Sequence, residues 1–344
     1  MISANATDRA APVARSGDKL LPSLGILLVT GGLLLLGWFA YLWFTPIPAP
    51  YHYHQTLEGD SRKFPELGLD AWPDLTFSQY DVQAEGADKP IAQLILARQG
   101  DKPPVLINWK NTTNEILHTL DRKPAELSAL ATAIGKHAPK DALILAWWDT
   151  SRQIKLLTGH DTLFTSHMNE PLVIPLNWLA QSEAITAYEN QFWQSRTDAK
   201  EQEQFKRFTK ALTAAPEDGV AMLRELIGSS REAYVIVHVT DLYKLGLMYP
   251  DKLGVAYQNF PLTGNMHGMI NHMKVQLKEN NFDTYTLQSL SDNEIRVFFL
   301  SDEGSSQTLL AKMLPFTEKK APTELEAAQL IYQQGGYWVY KLPG

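Results

Sequence analysis

The sequence predicts an α/β fold: one N-terminal transmembrane helix plus a mixed-sheet α/β soluble domain with a helical insertion. Three observations carry this. Leu24–Phe44 is a charge-free apolar run of 21 residues. Two other apolar runs, Ala142–Trp148 and Tyr234–Val239, have the continuous pattern of strands buried on both faces. Amphipathic segments with helical spacing lie between and around them.

The expected order is a cytoplasmic tail (1–20), a transmembrane helix (21–45), a neck (46–72) and a periplasmic α/β domain (73–344), with the helical insertion at about 176–228. At ~1.5 Å per residue, a helix of this length spans a hydrocarbon core of ~30 Å. Trp38, Tyr41 and Trp43 stand at its far end, where amphipathic rings favour the interface. Pro46, Pro48 and Pro50 then stop it. Its apolar region is too long for a cleaved signal peptide, and no small-x-small site follows Phe44. Arg9, Arg15 and Lys19 precede the helix, whereas Arg62 and Lys63 are the first basic residues after it. The positive-inside rule therefore puts the N-terminus in the cytoplasm and the large domain outside.

Past the neck, Leu75–Val82, Ala92–Ala97 and Val105–Trp109 read as strands. A helix begins at Pro124 with Leu127, Leu130 and Ile134 on one face, and Gly135 is expected to stop it. With the strand at 142–148 this gives strand–helix–strand, the βαβ signature of a parallel sheet. Ile154–Leu157 reads as a short strand. Trp178–Trp193, Glu201–Leu212 and Pro216–Ile227 form the helical insertion. After the strand 234–239 come a helix at Met266–Leu277, a hairpin of Thr284–Leu290 with Glu294–Leu300, a helix at Glu324–Tyr332 and a last strand at Tyr337–Leu342.

The net charge is −7. With +1 on residues 1–20 and none on 21–50, the remainder carries −8. An acidic domain argues against nucleic acid, which requires a basic footprint, and suits a basic protein partner. The chain has no cysteine, which excludes disulfides, covalent c-type haem, iron–sulfur ligation and thiol catalysis. No phosphate-binding loop, dinucleotide fingerprint, nucleophile elbow or HExxH is present, so the motifs imply no cofactor and no catalytic residue.

Ligands of α/β sheets sit beyond the strands' C-terminal ends. Two strands end there in polar clusters, Asp149-Thr150-Ser151-Arg152 and Thr240-Asp241. Asp149 and Asp241 can bring two carboxylates together, with Trp147 and Trp148 as an aromatic wall. Trp147, Trp148, Asp149, Arg152 and Asp241 are thus the candidate partner or peptide contact. The plainer alternative is that these polar residues cap the next element. A carboxylate-based hydrolase or transferase at Asp149/Asp241 is the enzymatic alternative. His267, Met269 and His272 form the densest soft-ligand group, as copper would require. Yet the methionines fall on one helical face as core residues do, and the two histidines lie about 140° apart around a helix. No metal site is expected.

Three segments, LAWWDTSRQIKLLTG (145–159), YVIVHVTDLYKLGLMYPDKLGVAYQ (234–258) and TGNMHGMINHMKVQLKENNFDTYTLQSLSDNEIRVFFLSDE (263–303), together with the anchor, resemble the HaoB family. The resemblance implies an inner-membrane-anchored periplasmic accessory protein of hydroxylamine oxidation. Its partner would be a multihaem hydroxylamine oxidoreductase or an associated c-type cytochrome. Trp147-Trp148-Asp149 is also similar to the start of the peptide-binding motif of oligosaccharyltransferase catalytic subunits. Those enzymes continue with Tyr-Gly, where Thr150-Ser151 stands here, and hold metal-binding carboxylates on membrane helices that this chain lacks.

Overall fold

In the computed structural model, residues 20–44, 48–113, 117, 119–195, 198–228, 232–262, 266–316, 325 and 328–342 are described. They fall into two units, residues 1–48 and 49–344. The first holds helix α1 (Leu20–Phe44), whose described side chains are exposed apart from half-buried Gly31. Its segment Pro22–Tyr41 is long and apolar enough to cross a membrane.

The second unit is α/β, with three sheets among the described residues. Strands β1 (Tyr51–Gly59), β2 (Leu75–Ala84), β3 (Ala92–Gln99) and β4 (Val105–Asn111) form an antiparallel sheet in that order. Residues 51–59, expected in the neck, are thus a paired strand: Tyr51 lies opposite Ala84 and Gly59 opposite Phe77. Its residues alternate His, Tyr and Gln, and Tyr51 is fully buried.

Helix α2 (Pro124–His137) starts on Pro124 as expected. It passes Gly135 and closes at Ala138, whose N–H donates to the Ile134 carbonyl. Strand β5 (Leu143–Leu145) is shorter than the apolar run suggests, because Trp148 already opens helix α3 (Trp148–Thr158). Ile154–Leu157, expected as a strand, belongs to that helix, which ends on left-handed Gly159 at φ 76°. The anticipated βαβ unit also fails, since β4 and β5 belong to different sheets. Parallel pairing does occur, between β5 and β6 (Asp161–Thr162) and between β5 and β7 (Ala233–His238). The crossover from β5 to β7 contains the helical insertion. This comprises a 3-10 helix (Leu176–Gln181), α4 (Ser182–Phe192), α5 (Ala199–Thr213) and α6 (Pro216–Ile227).

Helix α7 (Asp241–Met248) follows β7. Strand β8 (Val255–Pro261), helix α8 (Met266–Glu279), and the hairpin β9 (Thr284–Ser291) with β10 (Glu294–Leu300) build the third sheet, order β8-β10-β9. Two short helices, α9 (Glu303–Ser306) and α10 (Leu309–Lys312), lead on. From Gln329 the expected terminal helix is instead strand β11 (Gln329–Gln334), which turns through Gly335-Gly336 into β12 (Tyr337–Leu342). Glu324, its expected start, lies outside the described residues. The second sheet is therefore ordered β11-β12-β7-β5-β6.

This sheet has apolar layers on both faces, as its continuous runs require. Ile144, Tyr234, Ile236 and Val339 pack with α2, α3 and the first sheet. Leu145, Val235, Val237 and Tyr340 pack with α5, α6, α7 and α10.

Candidate functional site

Parallel strands β5 and β7 end side by side, and each is followed by a helix whose first turn carries a carboxylate, Asp149 in α3 and Asp241 in α7. The two are brought together through Lys244, one turn beyond Asp241. Its Nζ lies 3.2 Å from Asp149 Oδ2 and 3.3 Å from Asp241 Oδ1, and stands over the Trp147 ring at 4.8 Å. Arg122, from the segment before α2, reaches Asp149 Oδ2 at 2.6 Å and donates to Thr150 Oγ1 at 3.0 Å. The other oxygen, Asp149 Oδ1, accepts from the Thr150 N–H at 2.6 Å. The His238 N–H donates to Asp241 Oδ2 at 2.8 Å. Two cations and two carboxylates thus meet at the sheet's C-terminal edge, with Lys244, Asp149 and Asp241 all buried.

The environment divides the two acids. Burial raises the pKa of both, but at Asp149 the charges of Arg122 and Lys244 outweigh it and hold the carboxyl well below its usual range. At Asp241 burial wins over Lys244, and the pKa is raised. His238 is pushed well below an ordinary histidine by burial and by the same two cations. Its Nδ1 accepts from the Thr240 N–H at 3.2 Å, which leaves the ring proton on Nε2. That Nε2 is buried without a hydrogen-bond partner among the described residues. It is directed at Gly336, where a Cβ would stand only 2.3 Å away.

The remaining predicted residues are likewise internal. Trp147 and Trp148 are 1% and 2% exposed, so the aromatic wall expected to meet a partner is part of the core. Trp147 packs edge-on to Phe205, and Trp148 Nε1 donates to the Glu170 carbonyl at 2.6 Å. Arg152 donates to the Pro104 carbonyl at 2.8 Å and contacts His167 Nδ1 at 3.0 Å. Burial lowers its pKa to about 10. The contact surface expected at these five residues is therefore not accessible in this conformation. Two cavities, an apolar one of about 130 Å³ beside α2 and β12 and a polar one of about 280 Å³ beside α9, are lined by none of them.

Of the three residues of the copper alternative, the side chains of Met269 and His272 are described. Met269 packs partly buried under the third sheet with buried Met273, while His272 is exposed beside the Phe260 ring. The His267 side chain lies outside the described residues. Among those residues, no group of three or more His, Cys, Asp or Glu is placed to hold a metal.

A second polar centre escaped the sequence reading. Glu189 of α4, fully buried, accepts from Tyr51 Oη, from Tyr53 Oη at 2.7 Å and from Trp193 Nε1 at 2.7 Å. Its signal was a lone carboxylate on the Ile185–Trp193 face of an amphipathic helix. For Lys244 the signal was its i+3 spacing from Asp241; for Arg122 there was none.

A family model described as HaoA-associated protein HaoB matches residues 17–342. The chain belongs to the HaoB family. The HaoB match takes in α1, the Asp149–Lys244–Asp241 cluster, the Glu189 centre and every described strand. No curated protein matches the chain. Among solved structures, the C-terminal domain of C. jejuni PglB is similar at 10% identity and a TM-score of 0.36, over 63% of this chain and 99% of that one. A likeness of that size supports no argument about mechanism.

Proposed function

We propose that this chain is a membrane-anchored accessory protein of hydroxylamine oxidation. In this reading α1 crosses the bacterial inner membrane with its N-terminus cytoplasmic, and the α/β domain lies in the periplasm. There it assists maturation, docking or anchoring of a multihaem hydroxylamine oxidoreductase, HaoA. The match to the HaoA-associated family over residues 17–342 carries the reading, because it includes both the apolar helix and the domain. The basic tail residues Arg9, Arg15 and Lys19 support the orientation. With no cysteine, the chain attaches no c-type haem of its own, so its contribution is made through protein contact.

Affinity capture of the tagged full chain from native membranes, with haem staining and mass spectrometry, tests this. Co-recovery of a multihaem oxidoreductase is expected. A haem-free eluate, even after cross-linking in intact cells, would refute it.

A further inference from the structure

We propose that Trp178, Tyr51 and Glu189 form a proton-coupled oxidation site, which takes an oxidising equivalent from the domain surface and holds it inside as a tyrosyl radical. The site lies wholly within residues 49–344 and needs neither the membrane nor the partner reading above. Its centre is an unusual carboxylate. Buried acids are ordinarily paired with a cation. Among the described residues no cation is paired with Glu189, which is fully buried. It accepts instead from three oxidisable side chains, through Tyr51 Oη, Tyr53 Oη and Trp193 Nε1.

The rings supply the way in. Half-buried Trp178 stacks on Tyr51 with centroids 5.5 Å apart, and half-buried Tyr188 meets Tyr51 edge-on at 5.6 Å. Tyr51 itself is fully buried. An electron can therefore leave Tyr51 for a ring in contact with it, while the phenolic proton already has its acceptor. Burial and the charge of Glu189 hold the Tyr51 phenol protonated, well above its usual range, so the proton must leave together with the electron.

The co-reactant is a one-electron oxidant of indole, a ferryl haem or a small inorganic radical. It takes one electron from Trp178 and is itself reduced. The Trp178 radical cation then takes one electron from Tyr51 and returns to indole. As it does so the Tyr51 O–H bond breaks and its proton passes to Glu189. The products are a neutral tyrosyl radical and a neutral glutamic acid, so the centre ends without a charge in a low-dielectric interior.

Flash oxidation of the full chain in detergent micelles, with ruthenium tris-bipyridine and persulfate generating the oxidant in light, tests this. Electron paramagnetic resonance should show a long-lived tyrosyl radical, and the infrared difference spectrum a new protonated-carboxyl band. Tyr51→Phe should abolish both. Glu189→Gln, which keeps an acceptor, should remove the band and cut the radical yield severalfold. Tyr234→Phe is the reference, since that hydroxyl donates to half-exposed Glu232, and it should change neither signal. A wild-type chain that gives no long-lived radical, or gives one without the carboxyl band, overturns the proposal before any variant has to fold. So does a radical that survives Tyr51→Phe undiminished.

Discussion

Replacing Lys244 with methionine removes one charge while keeping most of the side chain's volume. Asp149 would keep its ion pair with Arg122, but Asp241 would keep the His238 N–H and only the more distant charge of Arg122. Left as a buried anion, Asp241 costs on the order of 3–5 kcal/mol, the usual penalty for removing one partner of a buried pair. Its escape is to take up a proton. From an unfolded pKa near ~3.9, that costs about 4 kcal/mol at pH 7 and about 1.5 kcal/mol at pH 5. The cheaper route sets the loss, so Lys244→Met should destabilise by roughly 3–4 kcal/mol at pH 7 and by about 1.5 kcal/mol at pH 5. The sign follows from linkage: a folded pKa raised above the unfolded one makes the variant relatively more stable as pH falls. Adding Asp241→Asn should recover more than ~1 kcal/mol at pH 7, since no buried acid then needs neutralising. Urea unfolding of the full chain in detergent micelles, followed by tryptophan fluorescence, measures both. A loss below ~1 kcal/mol at pH 7, or one independent of pH, would refute the argument by showing that the carboxylates reach water.

Glu189→Leu removes the acceptor shared by Tyr51, Tyr53 and Trp193, and a buried donor left unsatisfied costs about 1–3 kcal/mol, whereas Glu189→Gln retains an acceptor. The leucine variant should unfold at much lower urea than the glutamine variant, and the reverse order would contradict the geometry. His238 stays neutral in the fold, so below its unfolded pKa of ~6.5 the unfolded chain binds a proton that the folded chain refuses. Stability should then fall by up to ~1.4 kcal/mol per pH unit, and His238→Gln should flatten that part of the profile in a pH series of urea midpoints.

Strands with continuous apolar runs were legible because burial on both faces leaves a one-dimensional mark. Val235, Ile236 and Val237 serve opposite layers, and the sequence shows that without the fold. Ile154–Leu157 was misread because four residues of Ile-Lys-Leu-Leu fit either period; Asp149 in the first turn and Gly159 at the end were the deciding helix signals. Gln329–Gln334 was misread as helix because Gly335-Gly336 stops a helix as readily as it turns a hairpin. The failed βαβ reading had another cause. Which sheet a strand joins depends on its partners in space, and among the described strands β4 pairs with β3 alone. At the candidate site, the meeting of Asp149 and Asp241 followed from strand-end geometry. The cation between them and the depth of Trp147 did not, because burial of a polar strand end depends on what the helical insertion lays over it.

Strand β12 lies between β7 and β11, opposite residues roughly a hundred positions earlier: Tyr337 faces His238 and Leu342 faces Ala233. Until that stretch has emerged, β7 is an open, uncharged edge of Tyr-Val-Ile-Val, and the ring of His238 lacks Tyr337 at its side. A chain delivered progressively across a membrane would thus hold one edge of this apolar strand open while roughly a hundred further residues follow, with β5 alone beside it. Closure of the sheet is therefore a late, non-local event, the kind that slows folding and gives an escorting factor time to act.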